Sequence, residues 1–334
     1  MRVAILSSSA LTSPPLTYGG LEMIAYVDAL RLGEKHEVYL VGAPGSEAAA
    51  SMFEELYGLK TTFTYVETST LGVENVADYI KALEAVRPEV IIDHAHSKPS
   101  AGLTNSTCVF HGAGNFTYCR KVVGISKIHA QIISHALGVP AYFVYGRAPE
   151  ELYLRFKTTS DKEHFLFLAR ASPEKGLAWF IKACELAEVK CVFMGDDGLF
   201  APDKRFVLEM YRKAKEAGIE WMSNVPHGVK ADFIRRAKAV VVLPQYPYVE
   251  VFGLFALEAF LLGTPVITTP FGAPVEFAAP GVHAHFVTSV EELVSVMRQG
   301  AEVKAKPEEL RSYALEIFNS RKLAYELLKI AEEV

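Results

Sequence analysis

The chain has 334 residues, of which 50% are hydrophobic and 22% charged. That is enough for two domains with separate cores, and too apolar for a disordered chain. A net charge of −5, with no concentrated run of Lys or Arg, argues against a nucleic-acid partner.

Cys108, Cys119, Cys184 and Cys191 are scattered, with no C-x-x-C and no evident disulfide framework, which predicts reduced thiols in a cytoplasmic protein. The N-terminus enters a strand at once and lacks a signal-peptide arrangement, and no apolar run is long enough to cross a bilayer.

Short apolar runs alternate with amphipathic segments along the chain. Residues 3–7, 36–41, 63–66, 90–93, 108–110, 122–125 and 142–145 read as strands, with helical patterns at 21–32, 76–86 and 128–137 between them. The rhythm then restarts. Strands are expected at 165–168, 191–194, 219–222, 239–243 and 265–269, and helices at 176–186, 206–217, 231–237 and 290–297.

Such alternation predicts an α/β protein of parallel sheets covered on both faces. The polar, turn-rich stretch within 147–163 marks a break, so two Rossmann-like domains are expected, at 1–155 and 156–312. Their ligands should lie at the carboxyl ends of the strands, in a cleft between the domains. Residues from about 310 to 334 read as one broken or two short helices, with 313–334 set apart from the second domain.

Several strand ends carry residues with chemistry. Gly19 and Gly20 open the first helix, where paired glycines let a backbone approach a phosphate. They do not form the G-x-G-x-x-G dinucleotide fingerprint, and Gly112-Ala113-Gly114 fails to complete one because Thr117 stands at the last glycine position. Asp93, His94 and His96 follow one strand and His111 follows the next. They read either as a metal site or as polar lining of a sugar pocket.

Arg170 and Lys175 flank Ser172-Pro173, a helix-start signal, so both cations should stand at a sheet edge where they could neutralise a departing diphosphate. Gly195 begins a tight loop at the same edge, and Val225 and His227 lie near the next strand end, where a base could stack. Glu250 and Glu258 bracket Phe252-Gly253-Leu254 at a strand-loop-helix junction. A helix start suits a phosphate, while carboxylates suit the diols of a nucleotide sugar. As a plainer alternative, the two glutamates face solvent beside a core helix.

In order along the chain, Tyr18-Gly19-Gly20-Leu21-Glu22, His36-Glu37-Val38, Phe110-His111-Gly112, Val123-Gly124-Ile125-Ser126, Arg170-x4-Lys175-Gly176, Gly195-Asp196, Glu250-x7-Glu258 and Gly263-Thr264-Pro265-Val266 resemble the motifs of retaining glycosyltransferases of family 4, which have the GT-B fold. The resemblance covers nearly the whole length. It implies an acceptor-binding first domain, a donor-binding second domain, and a final helix crossing back to the first.

It also implies roles for individual residues. Arg170 and Lys175 would bind the donor diphosphate, and Glu258 the ribose diol. Glu250, with the backbone of Phe252, Gly253 and Leu254, would hold sugar hydroxyls and phosphate. Gly19 and Gly20 would close over the diphosphate, and His111 would approach the reacting carbon. Gly195 and Val225 would line the nucleotide.

The expected substrates are a UDP-, GDP- or ADP-linked sugar and a sugar, lipid or small-molecule acceptor, with no cofactor and no metal. A lipid acceptor would bring the protein to a membrane surface. The base, the sugar and the oligomeric state stay open. A GT-B sugar-nucleotide epimerase, a nicotinamide oxidoreductase lacking the glycine fingerprint, and a non-catalytic nucleotide-sugar sensor are the alternatives.

Overall fold

The computed structural model describes residues 1–198, 201 and 203–333. The chain divides into two compact units, one of Met1–Glu151 with Phe318–Val334 and one of Leu152–Ile317. The sequence pattern had placed these breaks after residues 155 and 312.

The first unit is built from β1 (Arg2–Leu6), α1 (Gly20–Leu32), β2 (Glu37–Gly42), α2 (Ser46–Tyr57), β3 (Thr64–Glu67), α3 (Val76–Val86), β4 (Val90–Asp93), β5 (Ser106–Val109), β6 (Lys121–Gly124), α4 (Lys127–Leu137) and β7 (Tyr142–Phe143). Short helix α5 (Glu150–Leu154) leads into the second unit.

The seven strands are all parallel, in the order β3-β2-β1-β4-β5-β6-β7. Parallel strands buried on both faces need continuous apolar runs, and β1 and β4 supply them in Val3–Leu6 and Val90–Ile92. The order reverses between β1 and β4, and at such a switch point the loops leaving the two strands diverge and open a crevice.

The second unit holds β8 (His164–Leu168), α6 (Leu177–Ala187), β9 (Cys191–Gly195), α7 (Lys204–Glu216), β10 (Glu220–Ser223), α8 (His227–Arg236), β11 (Ala237–Val242), α9 (Leu254–Leu261), β12 (Val266–Thr268), α10 (Pro274–Phe277), β13 (Ala284–Phe286), α11 (Val290–Arg298) and α12 (Pro307–Ile317). Its six parallel strands run β10-β9-β8-β11-β12-β13, with the switch point between β8 and β11. The sequence pattern missed β13, α2 and the short α5 and α10.

The chain ends in α13 (Ser320–Glu332), which returns to the first unit and packs along α1 and β4. This explains why α1 is buried on every side, including Glu22, Asp28 and Arg31. Arg31 ties the return. It donates to Ser320 Oγ at 2.7 Å, to Glu150 at 3.0 Å and to Glu151 at 2.6 Å. Ser320 Oγ also donates to Glu150, at 2.6 Å. Each buried charge here has a partner, without which its burial would cost several kcal/mol, on the order of 3–5.

The cysteines overturn one expectation. Cys108 is bonded to Cys119 and Cys184 to Cys191, so all four are paired. Each pair closes a short connection between neighbours in the fold: the loop from β5 to β6, and the turn from α6 into β9. Proximity in the folded unit, not a C-x-x-C spacing, brings the sulfurs together.

Candidate active site

The second unit gathers most of the predicted residues at its β8/β11 switch point. β8 ends at Leu168 and the chain turns through a 3-10 turn, Pro173–Lys175, before α6 begins at Leu177. The helix start expected at Ser172-Pro173 is therefore this tighter turn, and Lys175 closes it. Backbone bonds from Leu243 N to Lys175 O (3.0 Å) and from Gln245 N to Glu174 O (2.9 Å) fasten the turn to the segment leaving β11.

That fastening brings Lys175 and Glu250 together from 75 residues apart. Lys175 Nζ donates to Glu250 Oε2 at 2.6 Å and to the Tyr248 hydroxyl at 2.8 Å, and it lies 4.5 Å from the Tyr248 ring centroid. Burial alone would lower the Lys175 pKa. The adjacent carboxylate and the Tyr248 oxygen overcome it and hold the ammonium above its ordinary 10.5. Arg170 donates to Glu174 at 2.7 Å. Neither cation is unbalanced: each carries its carboxylate with it.

Glu250 is held at its backbone as well. Its N–H donates to Phe271 O at 3.1 Å and its carbonyl accepts from Ala273 N at 2.7 Å. Phe252 is buried and packs against Phe277. Gly253 is the N-cap of α9, no side chain caps the helix start, and Leu254 is its first residue. One turn further on, Glu258 Oε1 accepts from Lys230 Nζ and from the Tyr153 hydroxyl, each at 2.7 Å. Glu250 and Glu258 are both buried, which removes the solvent-facing alternative.

Gly195 ends β9 pressed on the neighbouring strand end, where a Cβ would come within 1.9 Å of Ala169 O. The loop after it is fastened to the end of β10. Asp197 accepts from Trp221 Nε1 (2.9 Å) and Ser223 Oγ (2.5 Å), and Asn224 Nδ2 donates to Asp196 at 3.2 Å. Val225 follows, half-buried, just before α8, whose first residue is His227.

In the first unit, Gly19 is the N-cap of α1 at φ 143°. A Cβ there would meet Pro15 Cβ at 2.7 Å and Leu11 Cδ1 at 2.9 Å, so only glycine fits. Gly20 begins the helix. Glu22, one turn along, is buried, and desolvation pushes its carboxyl up to about 7.

The β4/β5 end holds the histidines. His94 Nδ1 is 2.9 Å from His111 Nε2, and His94 Nε2 is 3.1 Å from Asp28 Oδ2. Asp93 is occupied with Ser100, whose N–H (3.1 Å) and hydroxyl (2.6 Å) it accepts, and with Ala95 N at 3.0 Å. His96 donates its backbone N–H to Glu74 at 2.9 Å. Among the described residues no group of three or more His, Cys, Asp or Glu could hold a metal ion.

Sequence reasoning missed Tyr153 and Lys230 in the second unit, and Asp28 and Arg147 in the first. Nothing in local spacing marks them; each is recruited by a partner distant in sequence.

Residues 153–316 match the family model described as Glycosyl transferases group 1, and this span holds Arg170, Lys175, Glu250 and Glu258. No curated protein matches the chain. Solved structures do. AviGT4, a glycosyltransferase involved in avilamycin A biosynthesis, is 19% identical with a TM-score of 0.74, over 99% of this chain and 97% of that one. Anabaena HepE in complex with UDP and glucose is 16% identical with a TM-score of 0.74, over 98% of each chain. Sucrose-phosphate synthase from Thermosynechococcus elongatus is 13% identical with a TM-score of 0.77, over 99% and 98%.

At such identities the structures establish the fold, which is GT-B. The family match adds the chemistry: the chain carries a glycosyl transferases group 1 domain and is a glycosyltransferase.

Proposed function

We propose that this glycosyltransferase retains the configuration of the anomeric carbon, and that it moves a sugar from a nucleoside-diphosphate donor to a hydroxyl acceptor. The observation that carries this proposal is Lys175, half-buried at the β8/β11 switch point between Glu250 and Tyr248.

Cleavage of the sugar–phosphate bond builds negative charge on the diphosphate. Lys175, Arg170 and the backbone N–H groups at the start of α9 would stabilise that charge as it forms. Glu250 would accept hydrogen bonds from sugar hydroxyls, and Glu258 from the ribose diol. Gly195 and Val225 would line the nucleotide. In the first unit, Gly19 and Gly20 would approach phosphate and His111 a sugar hydroxyl. The acceptor would attack from the face the diphosphate leaves and pass its proton to a phosphate oxygen. The scheme calls for no metal.

UDP-sugars are the first donors to test, since HepE structures hold UDP and UDP-glucose. GDP- and ADP-sugars follow. A thermal-shift screen of these donors should show one of them raising the melting temperature. The product formed with that donor, read by NMR at the anomeric carbon, should keep the donor's configuration. An inverted product refutes the mechanism. Conversion of donor with no acceptor present would favour the epimerase alternative.

A further inference from the structure

We propose that Asp28, His94 and Arg147 are positioning residues that lock the tautomer of His111, so that His111 presents an unprotonated Nδ1 to a hydroxyl of the bound substrate. This rests on the proposed contact between His111 and substrate.

The four side chains come from separate places in the first unit: Asp28 from α1, His94 from the loop after β4, His111 from the loop after β5, and Arg147 from the segment after β7. Asp28, His94 and Arg147 are fully buried. Arg147 donates to both oxygens of Asp28 and, at 3.0 Å, to Tyr145 O. Proton counting then runs outward from the carboxylate.

The guanidinium holds Asp28 ionised despite its burial, with its pKa below the ordinary 3.8. A lone pair 3.1 Å from an ionised carboxylate oxygen would be repelled, so His94 Nε2 carries the hydrogen. Arg147 already balances Asp28, and desolvation keeps the His94 pKa below its ordinary 6.5, so His94 is neutral and has only that one hydrogen. Its Nδ1 must therefore accept. The hydrogen in the 2.9 Å contact comes from His111 Nε2.

His111 is itself held neutral. Burial and the neighbouring His94, Lys98, His96 and His129 all disfavour a second proton on it. The Lys98 ammonium is fixed nearby, donating to Val109 O at 2.9 Å and Asp93 O at 3.3 Å. His129 Nε2 faces Gly112 O at 2.9 Å. A neutral ring with its hydrogen on Nε2 leaves Nδ1 as a bare acceptor. The result is a hydrogen-bond acceptor that survives below pH 6.5, where a free histidine would be charged.

The test reads tautomers directly, by two-bond 1H–15N spectra of the full chain labelled at histidine, with His111→Ala assigning the signal. Wild type at pH 7 should show His111 neutral with hydrogen on Nε2. In Asp28→Asn an amide N–H can face His94, which inverts the relay and moves the His111 hydrogen to Nδ1. Turnover should then fall by about tenfold or more, the scale of one lost hydrogen bond to a reacting group.

A charged His111, or hydrogen on Nδ1 in wild type, overturns the proposal, and so does an unchanged tautomer in a folded Asp28→Asn. Asp28→Asn removes the counter-charge of Arg147; should that variant not fold, the wild-type spectrum decides alone. Undiminished turnover in His111→Ala would overturn the substrate contact, and the spectra tell that failure apart from failure of the relay.

Discussion

Removing Lys175 tests the ion pair it makes with Glu250 apart from the role proposed for it in the reaction. The ammonium balances Glu250 across 2.6 Å, with the two side chains only 13% and 9% exposed. In Lys175→Ala the carboxylate stays behind without its cation, and breaking a buried pair costs about 3–5 kcal/mol. For a unit of this size each kcal/mol lowers the melting temperature by about 2–4 °C, so the second unit should melt roughly 6–20 °C lower.

Glu250→Gln should cost less, since a neutral amide oxygen still accepts from Lys175. Lys175→Ala with Glu250→Gln removes both charges and should recover part of the loss. The pH dependence has a definite sign. Lys175 is held above its ordinary 10.5, so the pair's contribution is complete below that pH and is lost as pH rises beyond it. Thermal and urea unfolding of the four proteins close a double-mutant cycle. A coupling below about 0.5 kcal/mol, the scatter expected of independent sites, would refute the argument.

Two further expectations concern the second ion pair and the disulfides. Glu258→Ala should weaken donor binding by about tenfold to a hundredfold, measured by calorimetry, with a smaller effect on turnover of bound donor; equal affinity would remove Glu258 from the ribose site. Reduction of Cys108–Cys119 and Cys184–Cys191, which close loops with separations of 11 and 7 residues, should cost about 2.5–3 kcal/mol each, seen as a lower melting temperature in dithiothreitol. Paired thiols are unusual in a reducing compartment except in heat-adapted organisms. With five Asn and three Gln, the chain is also poor in the amides that fail at high temperature.

The sheets were legible because parallel strands buried on both faces read as unbroken apolar runs, as in Ala237–Val242. β13 escaped because Ala284–Phe286 is three residues long with His285 at its centre. α2 escaped because its first apolar residues are the consecutive Ala48, Ala49 and Ala50, which mark no clear face. At the site, Lys175, Glu250 and Glu258 stood out because they cluster around helix starts that follow strands, in an interpretable order. Two of their partners did not, because Lys230 and Tyr153 read individually as surface or linker residues. Asp28 was the least legible: a carboxylate inside a helix ordinarily marks the solvent face, and only the return of α13 buries the helix that carries it.

Lys175, Arg170, Glu250 and Glu258 are each already paired with an opposite charge within the second unit, and this bears on how a diphosphate would be held. A cation paired at 2.6 Å with a carboxylate offers little net field to a second anion. Under the proposed reaction, the field available from Lys175 therefore depends on what Glu250 is doing. A sugar whose hydroxyls donate to Glu250 draws the carboxylate's lone pairs away from the ammonium, and Lys175 can then turn its N–H groups to phosphate. Since only three N–H donors exist and Tyr248 takes one, the exchange is a competition for hydrogen bonds at fixed geometry. The correct sugar would strengthen the grip on the leaving group, whereas a bare nucleoside diphosphate would meet Lys175 still held by Glu250. On that proposal, discrimination between sugars would follow from the same pair that is proposed to stabilise the departing charge.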